Sequence, residues 1–226
     1  MVTSLDVLVF GDETRQDTKI IWLVSRQHAG EPMAEYATEG FIRRLLDTSD
    51  SMTQQILEKA TIYVVPNMNP DGSAAGNLRA NAAGVDLNRV WHDAPDAAPE
   101  IQAVVAAIAK TGCDYFINMH GDETRPFIWL IGPAVDMNPE QIACQNQFEA
   151  FLAEKHPELW PPPEEIRSGT MPAQGLSVSH IFHTYGCPSW VVELPFREPA
   201  LGDTLLAEGC INFGRNCVEA LLDVMT

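Results

Sequence analysis

The feature that most restricts the fold of this chain is a rhythm. Short, continuous apolar runs recur between longer segments of helical spacing. Residues 20–24, 62–65 and 127–131 are unbroken runs of four or five, and 115–119 and 190–194 are each broken by one polar residue, the form of strands buried on both faces. Between them, 34–46 carries Phe41, Leu45 and Leu46 as one apolar face. Residues 99–110 form a second helical segment, with Pro99 in its first turn and Gly112 just past its end. Residues 138–155 follow, capped by Asn138, then a short helix at 177–185 and a closing helix at 203–224. Residues 5–10 read as a strand at a sheet edge. This alternation predicts an α/β fold: one domain over 1–226, with a mixed, largely parallel central sheet flanked by helices. Residues 1–19 are then an edge strand or the remnant of an N-terminal extension.

With 226 residues and a 46% apolar fraction, the chain can bury one substantial core. Its formal net charge is −17, which excludes the basic footprint that nucleic acid or an anionic membrane surface requires. Five cysteines (113, 144, 187, 210 and 217) form no Cys-x-x-Cys motif and no evident disulfide framework, so reduced thiols are expected. Asp6 interrupts the one early apolar run, and no basic segment precedes it. A signal peptide is therefore not expected and a cytoplasmic location is.

Two short stretches carry the chemistry. Gln27-His28-Ala29-Gly30-Glu31 follows one predicted strand, and Asn118-Met119-His120 ends another. His28, Glu31 and His120 together read as the ligands of one zinc ion. Two imidazoles and a carboxylate suit that metal, and three protein ligands leave a position for water. Between the halves lies an irregular stretch of about 25 residues, 67–91, long for a plain connection. It holds Asn69-Pro70-Asp71-Gly72, then Gly76-Asn77-Leu78-Arg79, then Gly84-Val85-Asp86-Leu87-Asn88-Arg89. Asn-Pro and Asp-Gly are turn signals that would fold the stretch back toward the metal. Glu193 closes the apolar run Trp190-Val191-Val192; a carboxylate there is costly unless it faces a polar cleft.

In their order, these motifs resemble the M14 family of zinc carboxypeptidases, and its cytosolic-carboxypeptidase-like branch in particular, over residues 20–195. The resemblance implies a peptidase acting on the C-termini of peptides or proteins. It implies Glu193 as the base that takes a proton from the attacking water, and Arg79 as the stabiliser of the oxyanion. Asn88 and Arg89 would hold the terminal carboxylate, and Asp86 would fix the tautomer of a liganding histidine.

The pattern also departs from that branch. His120 is followed by Gly121-Asp122-Glu123, which could hold a second cation with His180 and His183, though a solvated acidic turn accounts for it. The family's mobile tyrosine has no counterpart; Tyr185 lies too close to Glu193. Arg125 and Arg197 are the arginines available to a specificity pocket. Two other readings stay open: an amidohydrolase of the aspartoacylase or succinylglutamate-desuccinylase type, and a non-catalytic module that binds carboxylate-ended peptides.

Overall fold

The computed structural model describes residues 4–133, 137–157, 159, 175–196 and 207–226. Six strands make one sheet: β1 (Leu8–Phe10), β2 (Lys19–Ser25), β3 (Ala60–Val65), β4 (Tyr115–Asp122), β5 (Trp129–Ile131) and β6 (Ser189–Pro195), in the order β1-β3-β2-β4-β6-β5. The four inner strands run parallel, while β1 and β5 pair antiparallel at the edges, as the apolar runs predict. β2 connects onward to β3 on one side, whereas β4 leads to β6 on the other. The crevice beyond the carboxyl ends of β2 and β4 is thus a topological switch point, where open α/β sheets bind ligands.

Side chains alternate across the inner strands and supply two cores. On one face Ile21, Leu23, Ile62, Val64, Ile117, Met119, Trp190 and Val192 pack against α1 (Pro32–Leu46), α2 (Ser51–Lys59), α5 (Pro139–Lys155) and α7 (Ala207–Val224). On the other, Trp22, Val24, Tyr63, Val65, Phe116 and Val191 meet α4 (Pro99–Thr111), α6 (Ser177–Tyr185) and the irregular stretch around Leu87 and Trp91. α1 and α7 cross closely, because a Cβ at Gly40 or Gly214 would strike the opposing backbone at Ile211 O or Ala37 O.

Several expectations need correction. Phe41 and Leu45 are buried together, but Leu46 is 65% exposed: five residues from Phe41, it lies well round the helix from the buried stripe. The sequence reading did not anticipate α2. Its apolar face is Ile56 with the partly buried Met52 and Leu57, and its clearest signal is Asp50, whose side chain accepts from Thr53 N. The 67–91 stretch is not wholly irregular. Asn69 caps a short helix, α3 (Pro70–Ala75), with Pro70 in its first turn, and Leu87–Arg89 is a single 3₁₀ turn. The expected strand at 127–131 is shorter, and β4 continues past His120 to Asp122. α5 starts on a full capping box between Asn138 and Gln141. The expected excursion at 156–174 and the first residues of the closing helix lie mainly outside the described residues.

The correction on α1 has a direct consequence. Phe41→Ala should cost about 3–5 kcal/mol of unfolding free energy, whereas Leu46→Ala should change it by no more than about 0.5 kcal/mol. Urea denaturation of the two variants measures both.

Candidate metal centre

β2 ends at Ser25, in register with Met119 of β4, and Arg26 N donates to Met119 O at 3.2 Å. The chain then turns sharply: Arg26 has φ of +52°, left-handed for a non-glycine residue. Its guanidinium secures the turn, with Nε donating to Ala29 O and Nη1 to Glu35. The backbone of Leu78 and Arg79 runs alongside, accepting from Gly30 N and Ala29 N. Asn69 ties the two together. Its Oδ1 accepts from Gly72 N to cap α3, and its Nδ2 donates to Gln27 O at 2.9 Å.

The turn delivers His28 and Glu31 to His120. His28 Nδ1 lies 2.7 Å from Glu31 Oε1, His120 Nδ1 lies 2.8 Å from Glu31 Oε2, and the two Nδ1 atoms are 3.2 Å apart. All three side chains are buried. Among the described residues they are the one group of three or more His, Cys, Asp or Glu placed to hold a metal ion. Their spacing compares with the edge of roughly 3.3 Å expected of a tetrahedron with bonds of about 2.0 Å. The donor set and its geometry therefore fit zinc. Asp86 Oδ1 is 3.1 Å from His28 Nε2, and an ionised carboxylate can only accept. A neutral His28 thus turns its Nε2 proton to Asp86 and its Nδ1 lone pair inward.

The other sequence-predicted residues gather nearby. Glu193 stands in register with His120 on the adjacent parallel strand, so both side chains leave the same face of the sheet. Arg79 Nε donates to Asp86 Oδ2 at 2.6 Å, so one carboxylate engages both Arg79 and His28. Arg89 is exposed; its Nη1 reaches Asn88 O, and no ion pair to an acid holds it among the described residues. Asn88 lies between His120 and α6. It is buried, its Oδ1 accepts from Ser177 N, and its Nδ2 lies 3.3 Å from His120 Nε2.

The surrounding charges set the protonation of the groups. Burial pushes Glu31 up, but the charge and hydrogen bonds of His120 and His28 prevail and lower it from 4.5 to about 2. Burial likewise raises Asp86, yet its bonds to His28 and Arg79 hold it below the usual carboxylate range. His120 is lowered, chiefly by burial, whereas at His28 the partners Asp86 and Glu31 overcome burial and raise it. Glu193 is pushed well above the ordinary value, by burial first and then by the charges of Glu31 and Asp122.

The remaining candidates fall into place around this cluster. Asp122 is satisfied by Thr124, by Trp129 Nε1 and by Arg125, whose guanidinium lies 4.1 Å from the Trp129 ring centroid. His180 and His183 share α6, and the ring of His180 faces Trp91 and His92 rather than the cluster. Tyr185 ends α6 and packs against the core on that face. Arg197 lies outside the described residues. The sequence reading passed over Gln27, buried 3.4 Å from His120 Nε2, and Trp91, which donates to Gln27 Oε1. The available signal was Gln27's place next to His28, since amide-containing residues have no characteristic ligand spacing.

An α/β sheet with a two-histidine, one-carboxylate centre at its switch point, beside an acid of raised pKa, defines a protein of the metallohydrolase class. The Peptidase_M14 family, described as zinc carboxypeptidase, matches residues 3–198, and the chain belongs to that family. Cytosolic carboxypeptidase 6 of Homo sapiens is 30% identical over 98% of this chain and 46% of its own length. A metallo-carboxypeptidase from Burkholderia cenocepacia has a TM-score of 0.86 and 34% identity, covering 97% of this chain and 60% of its own. A metallo-carboxypeptidase from Pseudomonas aeruginosa, in complex with (2-guanidinoethylmercapto)succinic acid, gives 0.88 and 32%, covering 96% and 60%. The chain thus spans about half of that curated relative and three-fifths of each structure. Among the described residues no helix is long and apolar enough to cross a membrane.

In metal-free protein, Glu31 should give a signed acid dependence. Its folded pKa lies below the unfolded value, so its contribution to stability is complete above about pH 4.5 and fades as pH falls toward about 2. In chelator, the difference in thermal midpoint between the wild type and Glu31→Gln should narrow over that window. A gap that stays constant or widens would contradict this account of Glu31.

Proposed function

We propose that this chain is the catalytic part of a zinc carboxypeptidase, removing a C-terminal residue from a peptide or protein. The observation that carries the reading is the convergence of His28 Nδ1, Glu31 and His120 Nδ1 next to Glu193, an acid in register with His120. A single zinc ion held by His28, Glu31 and His120 would supply a Lewis acid that polarises the scissile carbonyl and acidifies water.

The chain's own groups would do the rest. Glu193 takes the proton of the attacking water and delivers it to the departing amine. Burial raises its pKa, which makes its carboxylate a stronger base for that proton. Arg79, fixed through Nε to Asp86, keeps its remaining guanidinium hydrogens for the oxyanion. Arg89 receives the substrate's terminal carboxylate. In a chain with 14 Lys plus Arg against 31 Asp plus Glu, an exposed arginine without an acidic partner among the described residues suits that task. Asn88, assigned by the sequence reading to the same clamp, has its Oδ1 taken by Ser177 N and its Nδ2 beside His120, and a second amide hydrogen remains for that carboxylate. A cytoplasmic location rests on the names of the cytosolic relatives.

The test is a peptide library offered to zinc-loaded protein with free and with amidated C-termini, and with a chelator control. Stepwise loss of C-terminal residues is expected only from free acids and only without chelator. Glu193→Gln should keep its zinc and lose about 10²–10⁴ in turnover. Cleavage of N-acyl amino acids but not of peptides would favour the small-molecule amidohydrolase. Binding of peptides without turnover would favour the non-catalytic module.

A further inference from the structure

The cysteines divide between the two faces of the sheet. Cys210 and Cys217 lie in the core on one face, and Cys144 packs against it. Cys113 and Cys187 belong to the other face, Cys187 within its core and Cys113 packed against it. There the two thiols meet. Their Sγ atoms are 3.8 Å apart, although the residues are 74 positions apart in the chain. The sheet itself separates them from the other three cysteines.

The contact follows from a local pattern that occurs twice. α4 ends at Thr111 and α6 at Tyr185, and each is capped by a glycine of positive φ, Gly112 at +83° and Gly186 at +66°. A glycine takes this backbone without the clash that a Cβ brings, so each helix turns directly into the strand that follows. The next residue is a cysteine in both cases, Cys113 before β4 and Cys187 before β6. Because β4 and β6 are parallel neighbours, the two equivalent turns stand side by side. Both are held in place. Asp114 N donates to Ile20 O at 2.7 Å and Asp114 Oδ2 accepts from Ile20 N at 2.8 Å, while Gly186 O accepts from Gln141 Nε2 at 2.8 Å. The strand ladder reaches back to Phe116 N on Pro188 O at 3.1 Å, one residue past Cys187.

Neighbouring strands run about 4.8 Å apart, inside the Cα separation of about 4.4–6.8 Å that a disulfide spans. The two sulfurs need a further approach of roughly 2 Å to bond, which side-chain rotation can supply. Cys113 is partly exposed and Cys187 buried, so a reagent from solution meets Cys113 first. The hydrogen bond with Cys187, and then burial, push the Cys113 thiol well up, which keeps it protonated and slow to react. Proximity offsets that slowness in the second step, where one thiol attacks within the molecule.

We propose that Cys113 and Cys187 form a site of reversible oxidation, at which a low-molecular-weight disulfide such as oxidised glutathione converts the two thiols into one bond that locks β4 to β6. Cys113, as thiolate, attacks the small disulfide and displaces one small thiolate, leaving a mixed disulfide. Cys187, once deprotonated, attacks the Cys113 sulfur and displaces the second. The two protons lost by the protein end on the two small thiols; the protein is oxidised by two electrons and the small disulfide reduced by the same two. The bond closes a loop from 113 to 187, so it restricts chiefly the unfolded chain. It sits before the amino ends of β4 and β6, whereas His120 and Glu193 lie toward their carboxyl ends. The proposal is therefore independent of the zinc reading.

The test treats folded, fully reduced protein with oxidised glutathione, alkylates the remaining thiols under denaturing conditions, and maps the peptides by mass spectrometry. The expected product is one cross-link, Cys113 to Cys187, reversed by dithiothreitol, with Cys144, Cys210 and Cys217 alkylated. The thermal midpoint of the oxidised protein should stand about 5–15 °C above that of the reduced protein. Cys113→Ser and Cys187→Ser should each abolish the rise, and Cys113→Ser carries this control if the buried substitution at Cys187 does not fold. Five free thiols in the folded protein, under conditions that oxidise its unfolded chain, would overturn the proposal. So would a bond between any other pair, a glutathione adduct that persists on Cys113, or a cross-linked form no more stable than the reduced one.

Discussion

The parallel pairing of β2 with β4 is the constraint on which the site depends. It brings together two strand ends that are 94 residues apart in the chain, Ser25 and Met119, and does so at the point where the sheet changes its direction of winding. Because side chains alternate, His120 and Glu193 leave the same face, and the turn after Ser25 carries His28 and Glu31 over it. A slip of one residue between β4 and β6 would bring the neighbour of His120 opposite Glu193 and reverse the facing of one of them. The apolar residues between β4 and the helices on its two faces thus fix catalytic geometry as well as stability.

Electrostatics then divides the labour within an acidic molecule. Asp86 takes the hydrogen bonds of His28 and Arg79 on its two oxygens, which keeps it charged and holds an arginine near the centre. Glu31 is held low between two imidazoles, while burial and its acidic neighbours push Glu193 up. Three carboxyls within one cluster are therefore differentiated by burial and by their partners. That separation allows one to be a ligand, one a support and one a proton carrier. The αL backbone of Arg26 belongs to the same scheme. A strained turn is tolerated because its side chain is secured at Ala29 O and Glu35.

Much of this was legible in the chain. The buried strands announce themselves as continuous apolar runs, and Asn138 and Pro99 mark helix starts by the chemistry of capping. His28, Glu31 and His120 could be chosen because metal ligation demands particular residue types, and those types are sparse here. What escaped depends on tertiary context. α2, nine residues long, is too short to show a sustained period, and α3 hides in a stretch rich in turn formers, because Asn-Pro-Asp-Gly serves a helix cap as readily as a turn. The exposure of Leu46 follows from helix geometry that an apolar count overlooks. The buried bonds of Asn88 with Ser177 and of Trp91 with Gln27 join residues up to 89 positions apart that no local pattern links.

The central claim is that the ends of β2 and β4 form one zinc centre. A crystal structure of the zinc-loaded protein, with data collected on both sides of the zinc absorption edge, tests it most directly. The account predicts a single anomalous peak bonded to His28 Nδ1, a carboxylate oxygen of Glu31 and His120 Nδ1, within reach of Glu193. No peak at that position, or a principal peak elsewhere, for example at His92 and His180, would contradict it.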